Sequence, residues 1–120
     1  MTIDRNKLFI LHIYDAIDKI EERAAGISKE QFLQDDVIQD SVVRQFEILG
    51  EAINNLSDEI KEKYSQIEWN KAVGLRNALI HGYFDVDFEI VWGTIKNDLP
   101  DLKTRINEMI RDLKIDLPVS

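Results

Sequence analysis

Between Arg76 and Tyr83 the chain reads RNALIHGY, setting a guanidinium, an amide, an imidazole and a phenol within two helical turns. At about 100° per residue, Arg76, Asn77, His81 and Tyr83 share one side of a helix. Leu75, Ala78, Leu79 and Gly82 take the other side, and Ile80 alone intrudes on the polar one. Asn77 and His81 are i and i+4 neighbours, and Arg76 and Tyr83 are two turns apart, so the four groups could meet one ligand. These residue types suit phosphate chemistry without a metal. Arginine offers a planar, permanently charged fork to a phosphate and to the charge that builds on it, and histidine trades protons near neutrality. RNA brings its own nucleophile, the 2'-hydroxyl. Its attack on the adjacent phosphate needs one group to take a proton and another to give one to the leaving 5'-oxygen. Each strip has a single histidine, so a symmetric pair of chains would supply both. The same strip also fits a plainer role as a solvated face whose Arg and His complement a helix C-terminus. Spacing alone leaves both readings open.

The bulk composition narrows what such a strip could serve. A chain of 120 residues with 44% hydrophobic content has the size of one domain, expected over 1–120, with a core that needs no staples. With no cysteine there is no disulfide framework, thiolate zinc site or cysteine nucleophile. A cytoplasmic home fits best. The opening MTIDRNKLFILHIYDAIDKI is interrupted by charge too often for a signal peptide or membrane span. A net charge of -8 has the wrong sign for non-specific coating of nucleic acid, so any RNA site must be local.

The elements that must carry the strip read as helices throughout. From Asp4 to about Ala25, Phe9, Ile13, Ile17, Ile20 and Ala24 form one apolar stripe, and Gly26 offers a stop. Ser28 and Gln31 make a capping-box pattern for a short second helix. From about Asp36 to Leu56, the residues Ile38, Val42, Phe46, Leu49, Ile53 and Leu56 predict the strongest helix in the chain. Ser57 caps another short helix, and one starting near Glu68 to Asn70 carries the polar strip and frays near Gly82. Asp87 caps a last long helix with Phe88, Val91, Ile95, Leu102, Ile106, Met109 and Leu113 inward and a kink expected at Pro100. No alternating strand pattern competes. The expected fold is all-α, an up-and-down four-helix bundle with one or two short additional helices.

Arg, four residues, His, one residue, Tyr on the fourth long helix of an all-helical chain resembles the signature of the HEPN superfamily, specifically its HepT-like branch. VVRQFEILGEAINNLS at 42–57 and WNKAVGLRNALIHGYFDVDFEIVWGTIKNDLPDL at 69–102 extend the likeness over most of the chain. The resemblance implies a homodimer with two strips facing across a cleft, in a metal-independent endoribonuclease acting as the toxin of a toxin-antitoxin pair. It implies Arg76 and His81 as catalytic residues on an RNA substrate, with Asn77 supporting, and neither a cofactor, DNA nor a membrane as partner. It also implies a nucleotidyltransferase antitoxin that attaches AMP to Tyr83. That would set bulk and negative phosphate two turns from Arg76. Arg44, Glu47 and Glu51 match a charged row of the family; read from spacing, they are first an intrahelical ion-pair ladder, and active-site support second. A rival reading keeps the strip non-catalytic, as a nucleotide-binding or substrate subunit of a minimal nucleotidyltransferase. His12 reads as a surface or interface residue, and Trp69 and Trp92 as core or dimer-contact aromatics.

Overall fold

Helix α1, Thr2–Ala24, buries Ile10, Ile13, Ala16, Ile17, Ile20 and Ala24 on one face, the i, i+3, i+4, i+7 pattern of an amphipathic helix. The computed structural model describes residues 2–72 and 86–117, with side chains for 5–72 and 86–117. Phe9, expected in the buried stripe, is only half-buried against the core, and Ile10 takes the fully buried place. Gly26 ends the helix at φ 74°, a left-handed conformation that a side chain would strain.

The capping box at Ser28 forms in full. Its hydroxyl accepts from the Gln31 N–H at 3.1 Å, and Gln31 Oε1 accepts from the Ser28 N–H at 2.8 Å, opening α2, Lys29–Gln34. Asp35 closes α2 and caps α3, Asp36–Asn55, through its carboxylate and the Ile38 N–H at 3.1 Å. Helix α3 faces α1 with Val42, Val43, Phe46, Leu49, Ala52 and Ile53, while Ile38 lies at the half-buried rim.

Two contacts fix the direction of α3 against α1. Asn6 near the start of α1 holds Ser57, just past the end of α3, by donating Nδ2–H to Oγ and accepting the Ser57 N–H at Oδ1, both at 3.0 Å. Arg23 near the end of α1 donates Nε–H to Ser41 Oγ near the start of α3 at 2.6 Å. The two helices are therefore antiparallel. Ser57 also caps α4, Asp58–Lys63, from the other side of the same hydroxyl. Residues 69–72 are helical, and Trp69 is buried with Nε1–H donating to the Lys61 carbonyl at 3.3 Å.

Asp87 opens α5, Phe88–Gly93, with one carboxylate oxygen accepting the N–H groups of Glu89 and Ile90. The helical run then widens into a π turn at Thr94–Asp98 before α6, Leu99–Asp112. This is where the expected kink at Pro100 is absorbed. A proline ring collides with the carbonyl four residues back and has no N–H to give it. Here the Leu99 N–H reaches five residues back to the Thr94 carbonyl, so the ladder has already shifted register when Pro100 arrives in the first turn of α6. Thr94 and Thr104 return their hydroxyls to the carbonyls of Ile90 and Pro100 at 3.0 and 3.1 Å, a bond that favours bending.

Lys103 in α6 pairs with Glu21 late in α1 at 2.7 Å, and the far end of α6 reaches the start of α1, where Leu113 and Lys114 line one groove with Asn6 and Lys7. The last helix thus also runs against α1, the polarity that an up-and-down bundle requires. Tyr64 Oη donates to Asp112 Oδ2 at 3.3 Å; burial, then the neighbouring carboxylate, pushes its phenol above the ordinary value of 10.0. The described residues are helices and their connections, all-α as the periodicity requires.

The short α2 is held by Phe32, which is fully buried and meets Phe88 edge-on at 6.1 Å and Trp92 at 5.2 Å between centroids. Replacing Phe32 with alanine removes the only fully buried side chain of α2. Urea unfolding should then show a loss of about 3–5 kcal/mol and an altered Trp92 emission.

Candidate functional site

The strip Arg76, Asn77, His81 and Tyr83 lies outside the described residues. The elements that lead into and out of it are placed. On one side Trp69 seats the helical residues 69–72 against α4 through its indole bond. On the other, the Asp87 cap starts α5. Lys71 and Asp98 tie the two sides together at 3.2 Å, joining the start of that helix to the π turn. Both side chains are well exposed, so this link orients the chain more than it stabilises it.

The charged row of α3 is described. Arg44 Nη1 meets Glu47 Oε2 at 3.4 Å across one turn, with the arginine largely exposed. Glu51 lies one turn further along the same face, and the three line one groove of about 320 Å³ between α3 and α1. Phe9, Ile48, Ala52 and Asn55 complete its wall. The intrahelical pair expected from i, i+3 spacing therefore forms. The groove beside it was not legible from the helical wheel, because its far wall, Phe9, belongs to another helix. Asn55 Nδ2 donates to the Glu51 carbonyl at 2.9 Å, closing the C-terminal turn of α3.

His12 stands exposed on α1, with its ring edge-on to Phe9 at 6.0 Å. Trp92 is half-buried, tilted on Phe32, with Lys96 Nζ 4.6 Å from its ring centroid. The placements of His12, Trp69 and Trp92 agree with surface histidine and core aromatics. Asn6, a buried polar side chain, carried no signal in the sequence, since its partner Ser57 is 51 residues away. Among the described residues no group of three or more His, Asp or Glu side chains could hold a metal ion, and no helix is long and apolar enough to cross a membrane.

Sequence comparison places this all-helical chain in a family. The family described as Ribonuclease HepT-like matches residues 13–109. A candidate RNase of Caldanaerobacter subterraneus subsp. tengcongensis is 39% identical over 106 residues, covering 88% of this chain and 95% of that protein. Probable ribonuclease HepT of Thermococcus cleftensis is 38% identical over 104 residues, 87% of this chain and 94% of the relative. A candidate RNase of Methanocaldococcus jannaschii is 34% identical over 108 residues, 90% of this chain and 89% of its own. The chain belongs to the HepT-like ribonuclease family, within the HEPN superfamily. No solved structure gives a significant match.

If the Arg44–Glu47 pair is an exposed ladder rung, Arg44→Ala should change unfolding free energy by no more than about 0.5 kcal/mol. RNA cleavage by that variant, measured beside its urea midpoint, separates the two roles. A loss of activity at unchanged stability would give the pair a part in the site.

Proposed function

We propose that this chain is a metal-independent endoribonuclease, the toxin of a toxin-antitoxin pair, working in the cytoplasm as a homodimer of one helical domain each. What carries the reading is the family match over residues 13–109, which spans the whole Arg76, His81, Tyr83 motif.

In this reading the two strips face one another across the dimer. Arg76 binds the scissile phosphate and stabilises the extra negative charge of the phosphorane-like transition state. One His81 takes the proton of the 2'-hydroxyl as the new 2'-oxygen to phosphorus bond forms. The His81 of the second chain gives a proton to the 5'-oxygen as the bond from phosphorus to that oxygen breaks. The nucleophile and the leaving group are both supplied by RNA, so the protein's task is positioning, charge and proton transfer. Asn77, one turn before His81, holds the imidazole or a phosphate oxygen.

Control falls to Tyr83. A nucleotidyltransferase antitoxin transfers AMP to its phenol, and the added phosphate competes for Arg76 while its bulk fills the cleft. The acidic composition is consistent with a substrate gripped at one place: repulsion over the rest of the surface leaves binding salt-sensitive and local to the paired arginines.

Purified protein should cleave RNA with a chelator present. His81→Ala and Arg76→Ala should each lower kcat by a factor of at least about 100, the scale of a removed general acid-base or charge-stabilising group. Equal inertness of the wild type and His81→Ala towards structured and unstructured RNA would end the nuclease reading. Normal growth of cells expressing the chain alone, with AMP added to Tyr83 by the transferase, would point to the non-catalytic subunit instead.

A further inference from the structure

Many cations at the bundle surface are paired. Lys19, Lys29, Arg44, Lys71, Lys103 and Arg105 each hold a carboxylate within 3.9 Å. Lys7, Lys63 and Lys114 do not, among the described residues, and these three line one groove of about 430 Å³ at the end of the bundle where α1 begins and α6 finishes. Three separate elements bring them there: the first turns of α1, the last residue of α4 and the C-terminal cap of α6.

The way Lys114 is held is informative. The chain leaves α6 with the Ile115 N–H bonded to the Ile110 carbonyl at 2.9 Å and the Lys114 N–H to the Arg111 carbonyl at 3.2 Å, a Schellman closure. Its left-handed residue, φ 54°, is a position where glycine is favoured, and here it is lysine. Ser57 sits in the same groove with Oγ accepting two bonds, from Asn6 Nδ2 and the Ile60 N–H. Its own O–H has no acceptor among the described residues and is free to donate. Against these donors the groove sets two carboxylates, Glu59 and Asp112, and Asp112 already accepts from Tyr64.

We propose that this groove binds the phosphodiester backbone of single-stranded RNA, giving the enzyme a hold on its substrate through residues outside the Arg76 to Tyr83 strip. The inference rests on the reading of the chain as an RNA-cleaving enzyme. In a chain of net charge -8, three ammonium groups without carboxylate partners in one groove offer a polyanion a local attraction. Lysine suits the task, since a point charge on a flexible stem follows a backbone without reading its bases.

The test compares the wild type with Lys7→Gln/Lys63→Gln/Lys114→Gln. Binding of a fluorescent RNA of about 20 nucleotides is followed from about 50 to 200 mM salt. Loss of three phosphate contacts should flatten the log K against log salt slope by about 2, so that the wild type weakens roughly 20-fold more than the variant over that range. KM for the long RNA should rise while its kcat stays unchanged, since none of the three lysines belongs to the strip. Lys114→Gly alone keeps the cap conformation and so should retain stability while flattening the slope by about a third as much. Unchanged affinity and slope in the triple variant, or equal binding of free inorganic phosphate and RNA, would overturn the groove as an RNA site. RNA binding that depends on the lysines in a protein that cleaves no RNA would instead fault the nuclease reading and leave the groove standing.

Discussion

Everything else in the bundle depends on the antiparallel contact of α1 with α3. Its apolar part is a continuous seam from Ile10 to Ala24 on one helix and Val42 to Ile53 on the other. Hydrophobic burial has no direction of its own, so the seam alone would tolerate a slide by a turn. The polar pins at its two ends remove that freedom. Asn6 with Ser57 and Arg23 with Ser41 can both close in one register only, and Asn6 is buried, so leaving it unpaired would cost roughly 1–3 kcal/mol. Ser57 then passes the constraint on, because the hydroxyl that receives Asn6 is also the cap of α4.

That register also fixes the flanks of the polar strip. Trp69 hangs its helix on α4, and Lys71 reaches the π turn, so the two sides of the segment holding Arg76 and His81 are referred back to the same seam. The proposed reaction transfers protons, which is sensitive to displacements of the order of 1 Å, so it gains from flanking elements fixed by packing. The π turn also lets the last helix pass Pro100 without breaking, so α5 and α6 keep Phe88 to Ile110 on one core.

Much of this was legible in the sequence because it depends on neighbours along the chain. The caps at Ser28, Ser57 and Asp87, the stop at Gly26 and the stripe of α3 are local, and each forms as its residues require. What was not legible depends on distant partners. The stripe read from the sequence took Phe9 and left out Ile10, and only the position of α3 shows that Ile10 is the one fully buried. The kink expected at Pro100 came as a π turn, since a wheel drawn at constant pitch has no place for an extra residue. Of the site, the Arg44–Glu47 pair followed from spacing, while the groove it borders and the lysine groove each need more than one helix. The Arg76 to Tyr83 strip was read from residue types and from resemblance; its geometry is outside the described residues.

The proposed reaction makes the RNA 2'-hydroxyl the nucleophile and leaves the protein to move protons and stabilise charge. End-group analysis of RNA cut by the purified protein in the presence of chelator tests it directly. Internal attack leaves a 2',3'-cyclic phosphate, or the 3'-phosphate it hydrolyses to, on one fragment and a 5'-hydroxyl on the other. Fragments carrying a 3'-hydroxyl and a 5'-phosphate, formed by attacking water, would contradict the account.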